Sequence, residues 1–291
     1  MMSSFLDNTV RETTVDGVRV AYVTAGRGEP LVLLHGWPED HRAWSHQLAP
    51  LAAVRRVIAP DLPGWGASDR DVRLSHDYDS EVDRLARLLD ALGLDRIDLA
   101  CHDYGGFLGL GFLHRYPHRV RRFALLNSRA HGTFTWPYRL LFGAFTTLAS
   151  HRATRRLLTV RAMYPLHRWG LRGYVRNGSF SPGLLDDYLS MLRTPEGLRW
   201  YAHFWAGYRV RVRPELAAGL AAVDCPTTVI WGRRDPAIPL RTARELASRI
   251  PGAHLVLLDA DHFVMEQRPA EVTEALLAWL DRPVENTAAA N

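Results

Sequence analysis

Apolar and polar residues along this chain follow two rhythms. Stretches 9–15 and 18–25 read as strands, and between them lies Asp16-Gly17, a dipeptide that favours the two-residue turn of a β-hairpin. Beyond the hairpin, short apolar runs take over: PLVLLH at 30–35, RVIAPD at 56–61, RIDLA at 96–100, RFALLN at 122–127, PTTVIWG at 226–232 and AHLVLLD at 253–259. Between the runs lie segments of helical spacing, near 41–52, 78–92, 105–116, 240–250 and 269–281. A run apolar throughout suits a strand covered on both faces, and helices between such strands build parallel βαβ units. The pattern predicts an α/β fold, a mostly parallel central sheet flanked by helices, entered through an antiparallel hairpin.

One interval breaks the alternation. From 131 to 222 the chain carries helical patterns, aromatics and arginines but no strand signal. It reads as a helical lid subdomain inserted into a core formed by 1–130 and 223–291. The last residues, RPVENTAAAN, have no core pattern and are expected to fray.

Ligands of open α/β sheets bind beyond the carboxyl ends of the strands, which directs attention to the loops. CHDYGG, at 101–106, lies between a buried strand and a helix and reads as a tight turn presenting Asp103 at its tip. Hydrolases with serine at this turn carry G-x-S-x-G, whose glycines let the backbone bend. Here Gly105 and Gly106 serve the far side, Cys101 replaces the first glycine, and no G-x-S-x-G occurs anywhere. GGFLGLG lacks the spacing of a dinucleotide-binding loop.

HGWPE at 35–39, DLPGWGASD at 61–69, CHDYGG and DHFVMEQRP at 261–269 occur in an order that resembles the α/β-hydrolase superfamily. The aspartate at the turn is similar to the branch containing epoxide hydrolases and haloalkane dehalogenases. The resemblance covers nearly the whole chain outside the tail and implies a role for each matching position. Asp103 would be the nucleophile, His262 the base and Asp235 the acid that orients it, while the backbone N–H groups of Trp37 and Tyr104 would form the oxyanion hole. A carboxylate is competent against an electrophilic sp3 carbon and forms an alkyl ester, which water activated by the histidine then cleaves.

Within that branch the two chemistries differ in what receives the leaving group. Dehalogenases set an indole N–H beside the nucleophile, where this chain has Tyr104, and often an Asn after the HG, where it has Trp37. Epoxide hydrolases use lid tyrosines, and EGLRWYAHF at 196–204 resembles the segment of the second one, implying Tyr201. Tyr138 or Tyr164 would be the first. Trp136, Trp200, Phe204 and Trp205 are read as an apolar wall for the substrate. The expected reaction is therefore epoxide to vicinal diol, with dehalogenation as the alternative and non-catalytic ligand binding as a third reading.

Composition adds boundaries. The 291 residues are 47% hydrophobic and 23% charged, ordinary values for a folded enzyme. No apolar run reaches the length of a membrane span, the first residues lack a leader pattern, and two cysteines build no disulfide framework. A cytoplasmic enzyme is expected, monomer or homodimer, acting on a small-molecule substrate, an apolar or aromatic epoxide, without cofactor, nucleic acid or membrane. The net charge is +5 and every basic residue other than histidine is arginine. Arginines are densest at 152–176, a pattern that suits an anionic substrate, a membrane surface, nucleic acid or a solvated helical face; with no nucleic-acid motif beside it, the solvated face is the reading taken. HRYPH at 114–118 and HDYDSEVD at 76–83 hold ligand-type side chains but read as a helix end and a helix start, so no metal is expected.

Overall fold

A computed structural model describes residues 10–130, 134–208 and 213–284. The hairpin forms as expected from β1 (Val10–Val15) and β2 (Val18–Ala25). Asp16 and Gly17 both take positive φ, 53° and 77°, which matches the turn to the twist of the strands. There follow β3 (Pro30–Leu34), a 3-10 turn (His41–Trp44) running into α1 (Ser45–Ala52), β4 (Arg56–Pro60), α2 (Tyr78–Ala91), β5 (Ile97–His102), α3 (Asp103–Arg115) and β6 (Val120–Leu126).

Between β6 and β7 (Thr227–Gly232) the described residues are helical: α4 (Trp136–Ser150), α5 (Arg152–Arg155), α6 (Met163–Arg176), α7 (Pro182–Tyr188), α8 (Pro195–Gly207) and α9 (Pro214–Gly219). The chain closes with α10 (Leu240–Arg249), β8 (His254–Leu258), α11 (Val264–Gln267) and α12 (Pro269–Leu280). Side-chain caps fix several starts: Asp77 accepts from Ser80 N before α2, and Thr194 from Gly197 N before α8.

The eight strands lie in the order β1-β2-β4-β3-β5-β6-β7-β8. β2 pairs antiparallel with β1 and β4, and every other pair is parallel. From β3 the chain steps outward to β4 and then returns to β5 on the other side of β3. The loops after β3 and β5 consequently diverge and leave a crevice at the carboxyl end of the sheet.

Strands β5 and β7 are buried along their whole length, as their unbroken apolar runs require. One face of the sheet packs Leu31, Leu33, Trp44, Leu276 and Trp279. The core on the other face, with Val32, Leu34, Leu99, Phe112 and Phe123, continues into the insertion through Phe142, Trp200, Phe204 and Trp205. The end of the 131–222 interval lies lower on the sheet, since α9 abuts α3: a Cβ on Gly219 would sit 2.5 Å from His114 Nδ1. A parallel β6–β7 pair needs such a crossover helix.

Candidate active site

At the end of β5 the backbone turns sharply, and Asp103 takes φ +43°, a left-handed conformation costly for a residue with a Cβ. The turn is held from several sides. Gly105 N–H donates to His35 O at 3.1 Å, and a Cβ on Gly105 would lie 2.4 Å from that oxygen, so only glycine fits. Ser128 Oγ donates to Asp103 O at 2.6 Å. Cys101, the residue that departs from the glycine pattern, is matched from above: a Cβ on Gly109 would meet its Sγ at 2.5 Å. The small side has moved from the strand to the helix.

Asp103 Oδ2 accepts the backbone N–H of Trp37 at 3.1 Å, and Oδ1 faces His262 Nε2 at 3.7 Å. His262 Nδ1 donates to Asp235 Oδ2 at 2.8 Å. The other Asp235 oxygen takes the N–H groups of Ala237 and Ile238 at 2.7 and 2.9 Å. The three residues expected from three separate strand ends thus meet, with Nε2 of the imidazole left toward Asp103. Burial alone would disfavour the His262 cation, but Asp235, Asp103 and Glu39 outweigh it and raise its pKa to about 9.

Two supporting residues carry no sequence signal. Asn127, at φ +39°, donates to Asp235 Oδ2 at 2.7 Å and accepts from Gly232 N at 3.1 Å, tying β6 to β7 behind the acid. His102 is wholly buried between Glu39 Oε2 (2.7 Å) and His262 O (3.0 Å), and Glu39 also accepts Gly36 N. The HGWPE loop is thereby linked to the backbone of the histidine.

The residues expected in the insertion separate. Tyr201 is completely buried, and its hydroxyl lies 2.5 Å from His167 Nε2. His167 Nδ1 faces Met163 O at 2.7 Å, which only accepts, and burial depresses the imidazole pKa to about 4. Neutral His167 therefore carries its proton on Nδ1, and Tyr201 O–H donates to Nε2. The indole N–H groups of Trp37 and Trp205 approach the Tyr201 oxygen without reaching hydrogen-bond geometry, and both are buried without a partner among the described residues.

Trp37, Tyr104, Phe142, Phe204 and Trp205 line a small cavity with Asp103. It adjoins a larger one of about 190 Å³ that shares Trp37 and Phe142 and includes His167 and Tyr138. Tyr138 is engaged with Tyr174, oxygen to oxygen at 2.8 Å. Tyr164 donates to Asp186 at 2.9 Å and accepts from Arg193. Trp136 is 70% exposed, and Trp200 packs on Trp65 and donates to His76 Nε2 at 3.0 Å, so neither borders the Asp103 cavity.

Asp40, His41 and Asp61 cluster closely enough for a metal ion, but their oxygens are already used. Asp61 accepts from His41 N, His41 Nδ1 and Ala67 N, and Asp40 grips Arg42.

The strand order, the strained turn after β5 and the acid–histidine pair on the loops after β7 and β8 are those of an α/β hydrolase. A family model described as alpha/beta hydrolase fold matches residues 29–269, and the chain belongs to that family. It is 31% identical over 256 residues to a 2-hydroxymuconate semialdehyde hydrolase of Pseudomonas sp. (strain CF600), with 84% of each chain covered. It is 28% identical over 284 residues to a soluble epoxide hydrolase of Corynebacterium sp. (strain C12), covering 93% of this chain and 96% of that protein. Among solved structures, the ligand-free epoxide hydrolase CorEH superposes with a TM-score of 0.73 at 25% identity, over 94% of this chain and 98% of that one.

Proposed function

We propose that the protein hydrolyses an epoxide to a vicinal diol through an ester on Asp103, with the insertion serving as a lid over the site. The observation that carries this reading is the placement of the Asp103 carboxylate. One oxygen rests on the Trp37 N–H and the other is free to attack, while His262 Nε2 faces it at 3.7 Å, too far for a direct hydrogen bond. A serine nucleophile must be deprotonated by its histidine; an ionised carboxylate needs no such help. The likeness to a soluble epoxide hydrolase supports the same choice, whereas the semialdehyde hydrolase shares the fold family with a differently named reaction.

The steps balance as follows. Oδ1 of Asp103 attacks a ring carbon, the C–O bond breaks, and Tyr201 turns its O–H from His167 to the departing oxygen and protonates it. Esterification removes the negative charge beside His262, so its proton is released and restores Tyr201. Neutral His262 then deprotonates water, which adds to Cγ of Asp103. The oxyanion at Oδ2 is held by the N–H groups of Trp37 and Tyr104. Collapse gives the Asp103 carboxylic acid and a second alkoxide, and proton transfer between these two yields the diol and the carboxylate, with His262 again a cation.

The unpartnered indoles of Trp37 and Trp205 favour a second reading, since two buried N–H donors beside an aspartate nucleophile also suit a departing halide. Intact-mass measurement of His262→Gln separates the readings, because ester hydrolysis stalls in that variant. An adduct with the full mass of an epoxide supports ring opening; an adduct equal to an alkyl halide less HX transfers the site to dehalogenation. No adduct from a broad panel of both would sink the nucleophilic role of Asp103.

A further inference from the structure

We infer that the outer face of the insertion docks on an anionic lipid bilayer and that substrate enters the cavity from the lipid phase. No helix is long and apolar enough to cross a membrane among the described residues, so the contact is with the surface. Of the ten large hydrophobic side chains exposed among those residues, seven lie between Trp136 and Trp169. Trp136 and Trp169, 70% and 63% exposed, are the two largest of them. Indoles with leucines around them are what an interfacial surface inserts among headgroups.

The charge of this face identifies its partner. Between Asp103 and Asp186 the chain has no Asp or Glu, while Trp136 to Arg176 contains eight arginines. Arg152, Arg156 and Arg161 are exposed and have no ion pair among the described residues, and Arg172 lies 4.0 Å above the Trp169 ring. A second copy of the chain would bring two such arginine-rich faces together and be repelled. A bilayer carrying anionic headgroups meets both the arginines and the apolar side chains between them.

The position of the cavity mouth gives the contact a use. Leu141, Leu166 and Trp169 form the rim of the 190 Å³ cavity, and His167 and Trp37 line it, the latter shared with the Asp103 cavity. Docked in this way, the mouth faces the acyl layer, and a lipid-borne epoxide with a long apolar chain is the class of substrate it would take. This entry route rests on the Asp103 site proposed above; the docking itself does not.

The test is co-sedimentation of the full chain as Asp103→Asn, which needs no turnover, with vesicles of phosphatidylcholine alone or containing phosphatidylglycerol. Partition is expected onto the anionic vesicles alone at an ionic strength of about 0.01 M, with loss toward 1 M as the Debye length falls from about 30 to about 3 Å. Arg152→Ser/Arg156→Ser/Arg161→Ser should weaken partition about a hundredfold, at about fivefold per arginine. Trp136→Ser/Trp169→Ser should weaken it as well, and both variants alter exposed side chains and should keep the parent's melting curve. Equal partition onto both vesicles, unchanged partition in the arginine variant, or a dimer lost in the tryptophan variant with no vesicle binding would each overturn the proposal. Vesicle binding by a chain with Asp103 intact that opens no epoxide presented in those vesicles would strike at the Asp103 reading and leave docking standing.

Discussion

Asp103→Asn replaces the ionised carboxylate by a neutral group of the same shape, and so reproduces the charge state that His262 meets once Asp103 is esterified. At the 3.7 Å between His262 Nε2 and Asp103 Oδ1, one unit charge is worth about 1 kcal/mol with water-like screening and about 4.5 kcal/mol at an effective dielectric constant of about 20. That range corresponds to about 0.8 to 3 pH units. The sign is fixed: removing an anion destabilises the neighbouring cation, so the pKa falls. From about 9 in the parent, His262 is expected to titrate between about 6 and 8 in the variant. The assay is an NMR titration of histidine ring Cε1–H signals, with the His262 resonance assigned by its loss in His262→Gln. The turnover rate of Asp103→Asn should meanwhile fall to background. A His262 that still titrates at 9 would refute the reasoning, because Asp235 alone would then hold the proton and ester formation would not release the base.

Three other outcomes can be measured. Tyr201→Phe should slow ester build-up about a hundredfold or more and leave ester decay nearly unchanged in single-turnover mass measurements; equal slowing of both would remove its role in ring opening. Asn127→Ala strips a donor from Asp235 and leaves Gly232 N–H unpaired, so it should cost about 1–3 kcal/mol in thermal unfolding and lower kcat more than it changes KM. Gly109→Ala should destabilise by about 1–3 kcal/mol through overpacking against Cys101, and Cys101→Ala in the same chain should recover most of that loss; simple additivity would disprove the contact.

The sheet, and the edge where the proposed site lies, were legible because their signals are local. Asp16-Gly17 needs nothing beyond two residues to turn a hairpin, and each buried strand announces itself as a run such as IDLACH or TTVIWG. Asp103 stands at the tip of the turn after such a run, Asp235 and His262 were implied by the resemblance, and the sheet gathers the three strand ends at one edge. His167 was not, since PLHRWG offers one histidine among arginines and its partner Tyr201 lies 34 residues away, brought near by the packing of α6 against α8. Tyr138 and Tyr164 have the residue type sought for that place, but the helices direct their hydroxyls to Tyr174 and Asp186. Trp136 shows the same limit in reverse, as sequence registers an aromatic without registering whether the helix turns it in or out.

In the proposed reaction, the groups for ester hydrolysis stand on the sheet, at the ends of β3, β5, β7 and β8, while the proton donor for ring opening, Tyr201, and its partner His167 come from the helices between β6 and β7. Ester hydrolysis therefore draws on the sheet alone, whereas ring opening draws on Asp103 from the sheet and on the helical segment together. Changes in the helical segment would alter which electrophile is opened and how fast the ester forms, without touching the machinery that clears it. Such a chain shifts its rate-limiting step before it loses its chemistry: a poorly matched substrate starves the ester, and a well matched one makes it accumulate. Inheritance of new substrates then requires substitution in one contiguous stretch, with the hydrolytic half conserved as a common exit.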